Sequence, residues 1–104
     1  MIAALVTFEN VNDLSRDDAE AKFNQTAPNY RGRDGLISKA YIFAEDGSHL
    51  GGFYLWESKD HAESQYSPEW IEKASEIYDV APKIQYYEVP VFIENVAVQS
   101  TWTG

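Results

Sequence analysis

The chain contains no cysteine, few basic side chains and no long hydrophobic run. Without cysteine it can form neither disulfides nor catalytic thiolates. Its 17 acidic side chains outnumber the 8 basic ones, and the resulting formal charge of -9 repels nucleic acids and anionic membranes. The apolar run near the start is far shorter than the ~20 residues that cross a bilayer. We therefore expect a cytoplasmic protein without a nucleic-acid or membrane partner.

Motifs that bind cofactors or metals are also missing from the sequence. The GRDG segment, residues 32–35, has neither the GxGxxG spacing nor the strand-to-helix context of a dinucleotide site. His49 and His61 are not spaced as metal ligands, and no carboxylate pattern flanks them. We expect no cofactor and no metal.

The residues that are present form one domain, which we place at residues 1–97, followed by a polar tail at 98–104. Apolar and β-branched runs predict strands over residues 2–8, 36–45, 49–56 and 82–96, the last one long. Helical spacing predicts a helix over residues 15–27, capped by Ser15. A second helix starts at Ser58, breaks near Tyr66 and restarts at Ser67.

The predicted order β-α-β-β-α-β is typical of the α+β, ferredoxin-like fold, an antiparallel sheet with strand order 4-1-3-2. Strands four and two then lie at the edges. An edge strand tolerates Pro90, and Lys39 on the opposite edge would discourage unwanted pairing.

The third strand alternates large apolar residues on both of its faces, Phe53 and Leu55 on one and Tyr54 and Trp56 on the other. Two helices can cover only one face of a four-stranded sheet. A second copy of the same sheet is the simplest cover for the other face, so we expect a homodimer.

The segments GLISKAYIFAEDGSHLGGFYLWESKDHAESQYSPEW and PKIQYYEVPVFIEN resemble the YdhR-type mono-oxygenases. These proteins belong, with the antibiotic-biosynthesis monooxygenases, to the dimeric α/β-barrel superfamily. The resemblance covers about residues 1–96 and implies a cleft between sheet and helices in each subunit. It also implies a cofactor-independent monooxygenase that acts on a small aromatic or polyketide-like molecule. The alternatives are a non-catalytic small-molecule binder, a stress-related dimeric barrel protein, or an isomerase or cyclase.

The resemblance also suggests catalytic residues. Trp56 matches a tryptophan associated with the relatives' cleft, and we assign it to catalysis together with Tyr66 and His49. The relatives place an asparagine before this tryptophan and a tyrosine after it, where this chain has Gly52 and Ala62. Haem-degrading relatives ligate iron through a histidine late in helix two, and residues 70–79 contain none.

We assign substrate contacts to residues that the predicted sheet and helices bring near such a cleft, namely Tyr41, Tyr54, Gly52, Trp70 and Arg33. Each has a purely structural alternative. The aromatic residues, Trp56 among them, could form the core, with Tyr41 and Tyr54 paired across the sheet. The Gly51-Gly52 pair could curve its strand, and Arg33 could be a solvated loop residue. Tyr66 could cap a helix, and both histidines look exposed. Tyr78, Tyr86 and Tyr87 we assign to packing or to the dimer face.

Overall fold

The computed structural model describes residues 1–95. In chain order its elements are β1 (Ile2–Glu9), α1 (Arg16–Thr26), a 3₁₀-helix (Ala27–Tyr30), β2 (Leu36–Phe43), β3 (His49–Trp56), α2 (Lys59–Gln65), α3 (Pro68–Tyr78) and β4 (Lys83–Glu88). The predicted tail at residues 98–104 lies outside the described residues. None of the helices in this part of the chain has the length and apolarity needed to span a bilayer.

Serine hydroxyls begin all three α-helices, as the sequence predicts. The side chain of Ser15 accepts a hydrogen bond from the backbone of Asp18, that of Ser58 from His61, and that of Ser67 from Trp70. Each bond satisfies a backbone N–H that has no partner within its helix. Tyr66 leaves the helical conformation at φ -92° and ψ 53°, so the predicted break between α2 and α3 is confirmed.

The strands form one antiparallel sheet in the order β2-β3-β1-β4, which confirms the predicted ferredoxin-like topology. The β2–β3 hairpin turns at Asp46 and Gly47, where the φ of Gly47 is 74°. The pairing of β2 with β3 shifts register between Leu36 and Ser38. The bulge therefore lies in β2, and the ladders pass through the Gly51-Gly52 pair without interruption.

The predicted length of the fourth strand is wrong, because β4 ends at Glu88. The backbone N–H of Val89 still donates to the carbonyl of Met1 at 3.3 Å. Glu88 pairs with Ile2, the first residue of β1, so the partner strand ends where β4 ends. Pro90 has no N–H with which to extend the pairing. Pro90 thus lies beyond the edge strand rather than inside it. Residues 91–95 follow without regular structure.

The core lies between one face of the sheet and the helices. Buried residues from every layer form it: Ala4, Val6, Phe8, Ala19, Phe23, Leu50, Tyr54, Trp56, Ala62, Tyr66, Ala74 and Tyr78. Tyr54 and Trp56 thus face the helices, as the alternation predicts. On the opposite face Phe53 is 45% exposed and Tyr87 is 47% exposed, whereas Leu55 is buried.

Candidate functional site

A cavity of about 150 Å³ lies between the sheet and the layer formed by the 3₁₀-helix and α3. Its lining is mainly aromatic: Phe8, Thr26, Asn29, Tyr30, Lys39, Tyr41, Gly51, Gly52, Tyr54, Trp70, Lys73, Ala74, Ile77 and Tyr78. Concave, largely apolar sites with a few polar groups are the usual form of small-molecule sites. Within residues 1–95, no aspartate or glutamate lines this cavity, although the chain is strongly acidic.

The Gly51-Gly52 pair forms the floor of the cavity. A Cβ atom on Gly51 would collide with the backbone carbonyl of Val6 on β1. A Cβ atom on Gly52 would lie 2.9 Å from the ring of Tyr54 and 3.2 Å from the side chain of Lys39. The glycines therefore allow close packing of two strands and leave the space above them open.

Lys39 carries the only amino group of the site that lies against aromatic faces. Its Nζ atom is 3.3 Å from the ring centroid of Tyr30, 3.8 Å from that of Tyr41 and 4.5 Å from that of Tyr54. We call Lys39 and these three tyrosines the lysine cage. The expectation that Lys39 guards the sheet edge is wrong. Lys39 and Tyr41 are two residues apart in β2, so their side chains point to the same face of the sheet, which is the face that the helices cover.

Burial shifts the acid–base behaviour of the cage. It lowers the pKa of Lys39 to about 7. It raises the pKa of Tyr54, an effect that the neighbouring Tyr30 reinforces. Burial likewise raises the pKa of Tyr41, against the opposing effect of its hydrogen bond with Thr26. Tyr41 and Tyr54 thus remain neutral near pH 7, while the amine of Lys39 can exchange its proton there.

Hydrogen bonds and ring stacking hold the walls of the cavity. The indole Nε1 of Trp70 donates to the hydroxyl of Tyr30 at 3.2 Å, which joins α3 to the 3₁₀-helix. The hydroxyl oxygens of Thr26 and Tyr41 are 2.7 Å apart. The ring of Tyr41 also stacks on that of Phe23, with centroids 4.7 Å apart. The cage is therefore fixed in place by residues from α1, the 3₁₀-helix, β2 and α3.

Four of the five predicted substrate-contact residues line this cavity, namely Tyr41, Tyr54, Gly52 and Trp70. The fifth, Arg33, is exposed in the loop before β2 and does not line it. Tyr41 and Tyr54 do not pair directly across the sheet, because the register places Lys39 opposite Tyr54 and Gly52 opposite Tyr41. Whether any of these residues contacts a substrate stays a prediction.

Trp56 and Tyr66 lie together in the core and not in the cavity wall. Trp56 is 0% exposed and its Nε1 donates to the hydroxyl of Tyr66 at 3.1 Å. Their rings meet edge to face, with centroids 6.0 Å apart. Burial raises the pKa of Tyr66, against the opposing effect of the bond from Trp56. This pair joins the end of β3 to the break between α2 and α3, and its catalytic assignment stays a prediction.

The two histidines also lie outside the cavity. His49 is exposed, as expected, and its Nδ1 is 2.8 Å from the hydroxyl oxygen of Ser48. His61 is half-buried, contrary to expectation, because its ring packs against Gly35 and bonds to Ser58 at 2.7 Å. No cluster of three metal-ligating side chains occurs in the described part of the chain.

Tyr78, Tyr86 and Tyr87 occupy three different environments. Tyr78 packs on Phe8, with ring centroids 4.5 Å apart, and burial raises its pKa to about 12. Tyr86 is half-buried on the helix side, near Tyr66. Tyr87 is exposed on the opposite face of the sheet. Tyr78 also reaches the cavity, which sequence reasoning did not anticipate.

Sequence reasoning also missed Lys39, Tyr30 and Lys73 as cavity residues. One signal could have found Lys39. It lies two residues before the inward-facing Tyr41 in β2, and side chains two residues apart in a strand point to the same face. No comparable signal marks Tyr30, which lies in the short 3₁₀-helix between α1 and β2.

Comparisons with known proteins identify the class of fold. No protein-family model matches the chain, and no curated protein is significantly similar to it. Solved structures are similar in fold. A monooxygenase from the ActVA-Orf6 gene of Streptomyces coelicolor, solved with nanaomycin D, has a TM-score of 0.65 and 18% identity over 91% of this chain and 92% of its own.

Two further structures extend this similarity. SnoaB, a cofactor-independent oxygenase from Streptomyces nogalater, has a TM-score of 0.64 and 11% identity over 90% of this chain and 97% of its own. A proposed antibiotic biosynthesis monooxygenase from Deinococcus radiodurans has a TM-score of 0.67 and 16% identity over 93% of this chain and 100% of its own. The expected likeness to the antibiotic-biosynthesis monooxygenases is thus confirmed for the fold.

Proposed function

We propose that the protein is a cofactor-independent monooxygenase that oxidises a small phenolic or polyketide-like aromatic molecule in the cavity above Gly51 and Gly52. The observation that carries this proposal is the lysine cage, a basic amine within an aromatic cavity of the size of a small ring system. The similarity of the fold to SnoaB, itself a cofactor-independent oxygenase, supports it.

The chemistry requires little of the protein. A phenolate is electron-rich enough to react with O2 directly, so the protein has to ionise the phenol, hold it and exclude water. A ring C–H is replaced by C=O as the phenol becomes a quinone. One atom of O2 enters the ring and the other leaves as water, and the substrate itself supplies all of the electrons.

An oxygen electrode with a panel of phenols and quinols tests this function. We expect uptake of O2 that survives treatment with a metal chelator and removal of flavin. The variant Ala74→Leu fills the cavity from α3, where Ala74 is buried, and should abolish the uptake. Glu72→Leu adds the same side chain at an exposed position of the same helix and should not. Absence of uptake with every member of the panel would refute the proposal.

A second candidate function is non-catalytic binding of the same class of molecule. It is favoured by the positions of Trp56, Tyr66 and His49, because none of these three predicted catalytic side chains lines the cavity. Tight binding without O2 uptake or product would support this candidate. Conversion of the ligand to an isomer without O2 uptake would support an isomerase or cyclase instead.

We also propose that the protein is a homodimer in which the uncovered sheet faces pack together. The exposed Phe53 and Tyr87 lie on that face, and Val91, Phe92 and Ile93 follow β4 as an exposed apolar segment. Burying each large apolar side chain stabilises a protein by ~1.5 to 3 kcal/mol. A second copy is a suitable cover because it presents the same apolar face.

A further inference from the structure

Within the described residues, the cavity is lined by lysine amines but by no carboxylate that could pair with them. None of the ion pairs formed within residues 1–95 involves Lys39. Two lysines, Lys39 and Lys73, line the cavity and no carboxylate does. A half-buried cation without a counter-ion is costly, so it either pairs with an anion or loses its proton more readily. No side chain that lines this cavity supplies the anion, which leaves that place to an anionic ligand.

The groups around Lys39 do not provide that anion. Tyr41 belongs to its own strand, Tyr54 to β3 and Tyr30 to the 3₁₀-helix, and their rings present neutral faces to the amine. Lys73 and Tyr78 reach the cavity from α3, while Arg31 lies with Lys39 beside a neighbouring surface depression. Every charged side chain that lines either depression is therefore cationic.

We propose that Lys39 is the acid–base residue of the cavity, which takes the hydroxyl proton of a bound phenol and then holds the phenolate as its ammonium partner. The phenol O–H bond breaks, an N–H bond forms on Nζ, and no electrons are transferred. This inference rests on the proposed phenolic substrate class. It assigns a general base that neither His49 nor His61 can provide from outside the cavity.

The environment of Lys39 suits this role. Burial brings the pKa of its ammonium down to about 7, so a sizeable neutral fraction exists at neutral pH. The three ring faces attract the ammonium once it forms, which favours the product of the proton transfer. The same rings give an aromatic ligand surfaces on which to stack, and Trp70 and Thr26 hold two of them in place.

A coloured phenol tests the inference without any oxidation. The probe is 4-nitrophenol, whose phenolate absorbs visible light and whose neutral form does not. Titration of the protein into the probe near the midpoint of the free probe, at about pH 7, where a sizeable fraction of Lys39 is still neutral, should raise the phenolate absorbance. The midpoint of the bound probe in the wild-type protein should lie below that of the free probe.

The variant Lys39→Met removes the amine but keeps the length of the side chain. We expect it to bind the probe roughly 10-fold to 100-fold more weakly and to produce no phenolate signal. Lys39→Gln is a second neutral variant in case the first does not fold. Lys59→Met is the matched control: Lys59 is exposed, and its Nζ lies 4.5 Å from the ring centroid of Tyr86 outside the cavity. It should behave as the wild type.

The outcomes separate this inference from the proposed function. If the wild type produces no phenolate signal, or if the neutral Lys39 variants retain it, Lys39 is not the proton acceptor. If the probe ionises as expected but no phenol supports O2 uptake, the oxygenase proposal fails while the assignment of Lys39 stands.

Discussion

Replacing Lys39 with methionine should stabilise the protein near neutral pH and change how its stability depends on pH. The ammonium of Lys39 loses hydration in the folded state, which lowers its pKa from 10.5 to about 7. At about 1.4 kcal/mol per pKa unit, this shift corresponds to a cost of about 5 kcal/mol. Cation–π contacts return about 0.5 to 2 kcal/mol each. Because Lys39 is only half-buried, solvent screens part of the remainder. With three such contacts, we expect Lys39→Met to gain about 1 kcal/mol at pH 7.

The sign of the pH dependence follows from the two pKa values. Between about 7 and 10.5 the unfolded chain holds the lysine proton more tightly than the folded chain does. The unfolded state therefore binds more protons in this window, and the wild type becomes more stable as the pH rises through it. The advantage of Lys39→Met is complete below about pH 7 and should shrink as the pH rises.

Urea unfolding between about pH 6.5 and 9.5, at one fixed protein concentration, measures this difference. Comparison with the wild type cancels the titration of the other groups, and Lys59→Met controls for loss of a lysine from an exposed cation–π contact. Free energies of unfolding for Lys39→Met and wild type that differ by a constant amount across the whole range would refute the reasoning.

Three other changes test the remaining features. Trp56→Phe removes the hydrogen bond to Tyr66 and leaves space in the core, so the melting temperature should fall by several degrees. Ligand affinity should stay unchanged. Weaker ligand binding with an unchanged melting temperature would instead place Trp56 at the ligand. Gly51→Ala should destabilise the fold by about 2 to 4 kcal/mol in urea unfolding through its collision with β1. Gly32→Ala meets no atom within 4 Å, so it should cost only the strain of its φ of 71°, about 1 kcal/mol. Sedimentation at low micromolar concentration should show a dimer, and a well-folded species of 11.8 kDa would contradict the proposed interface. Truncation after Val89 should give aggregated protein if the segment after β4 contributes to that interface.

The topology could be predicted because local signals agreed with one another. The serine caps, the Asp46-Gly47 turn and the alternation of β3 each indicated the element that the structure contains. The extent of β4 could not be predicted from hydrophobicity, because residues 89–93 are apolar yet β1 offers no partner beyond Ile2 and Pro90 cannot donate a ladder hydrogen bond. An apolar sequence indicates that a segment has to be buried, whereas the hydrogen bonds available to its backbone determine whether it forms a strand.

The cavity could be predicted only in part. The alternation of side chains along the strands and the spacing of apolar residues along the helix placed Tyr41, Tyr54 and Trp70 on surfaces that face each other. Lys39 was misinterpreted because a lysine in an edge strand is usually a solvated one. Its environment depends on Tyr30, which comes from a different element and approaches only once the chain has folded. Such a long-range contact has no local sequence pattern.

The floor of the cavity is formed by main chain, whereas one of its walls is formed by side chains of a helix. A Cβ atom at Gly51 would collide with the backbone of β1, so a side chain there would disturb the sheet. A Cβ atom at Gly52 would meet the side chains of Tyr54 and Lys39, so a side chain there would disturb the lysine cage. Trp70, Ala74 and Ile77 instead line the cavity from one face of α3. Exchanges on that helix alter the width of the cavity while the strand ladders stay intact, so the shape of the cavity can change without a change in the sheet that holds the fold together.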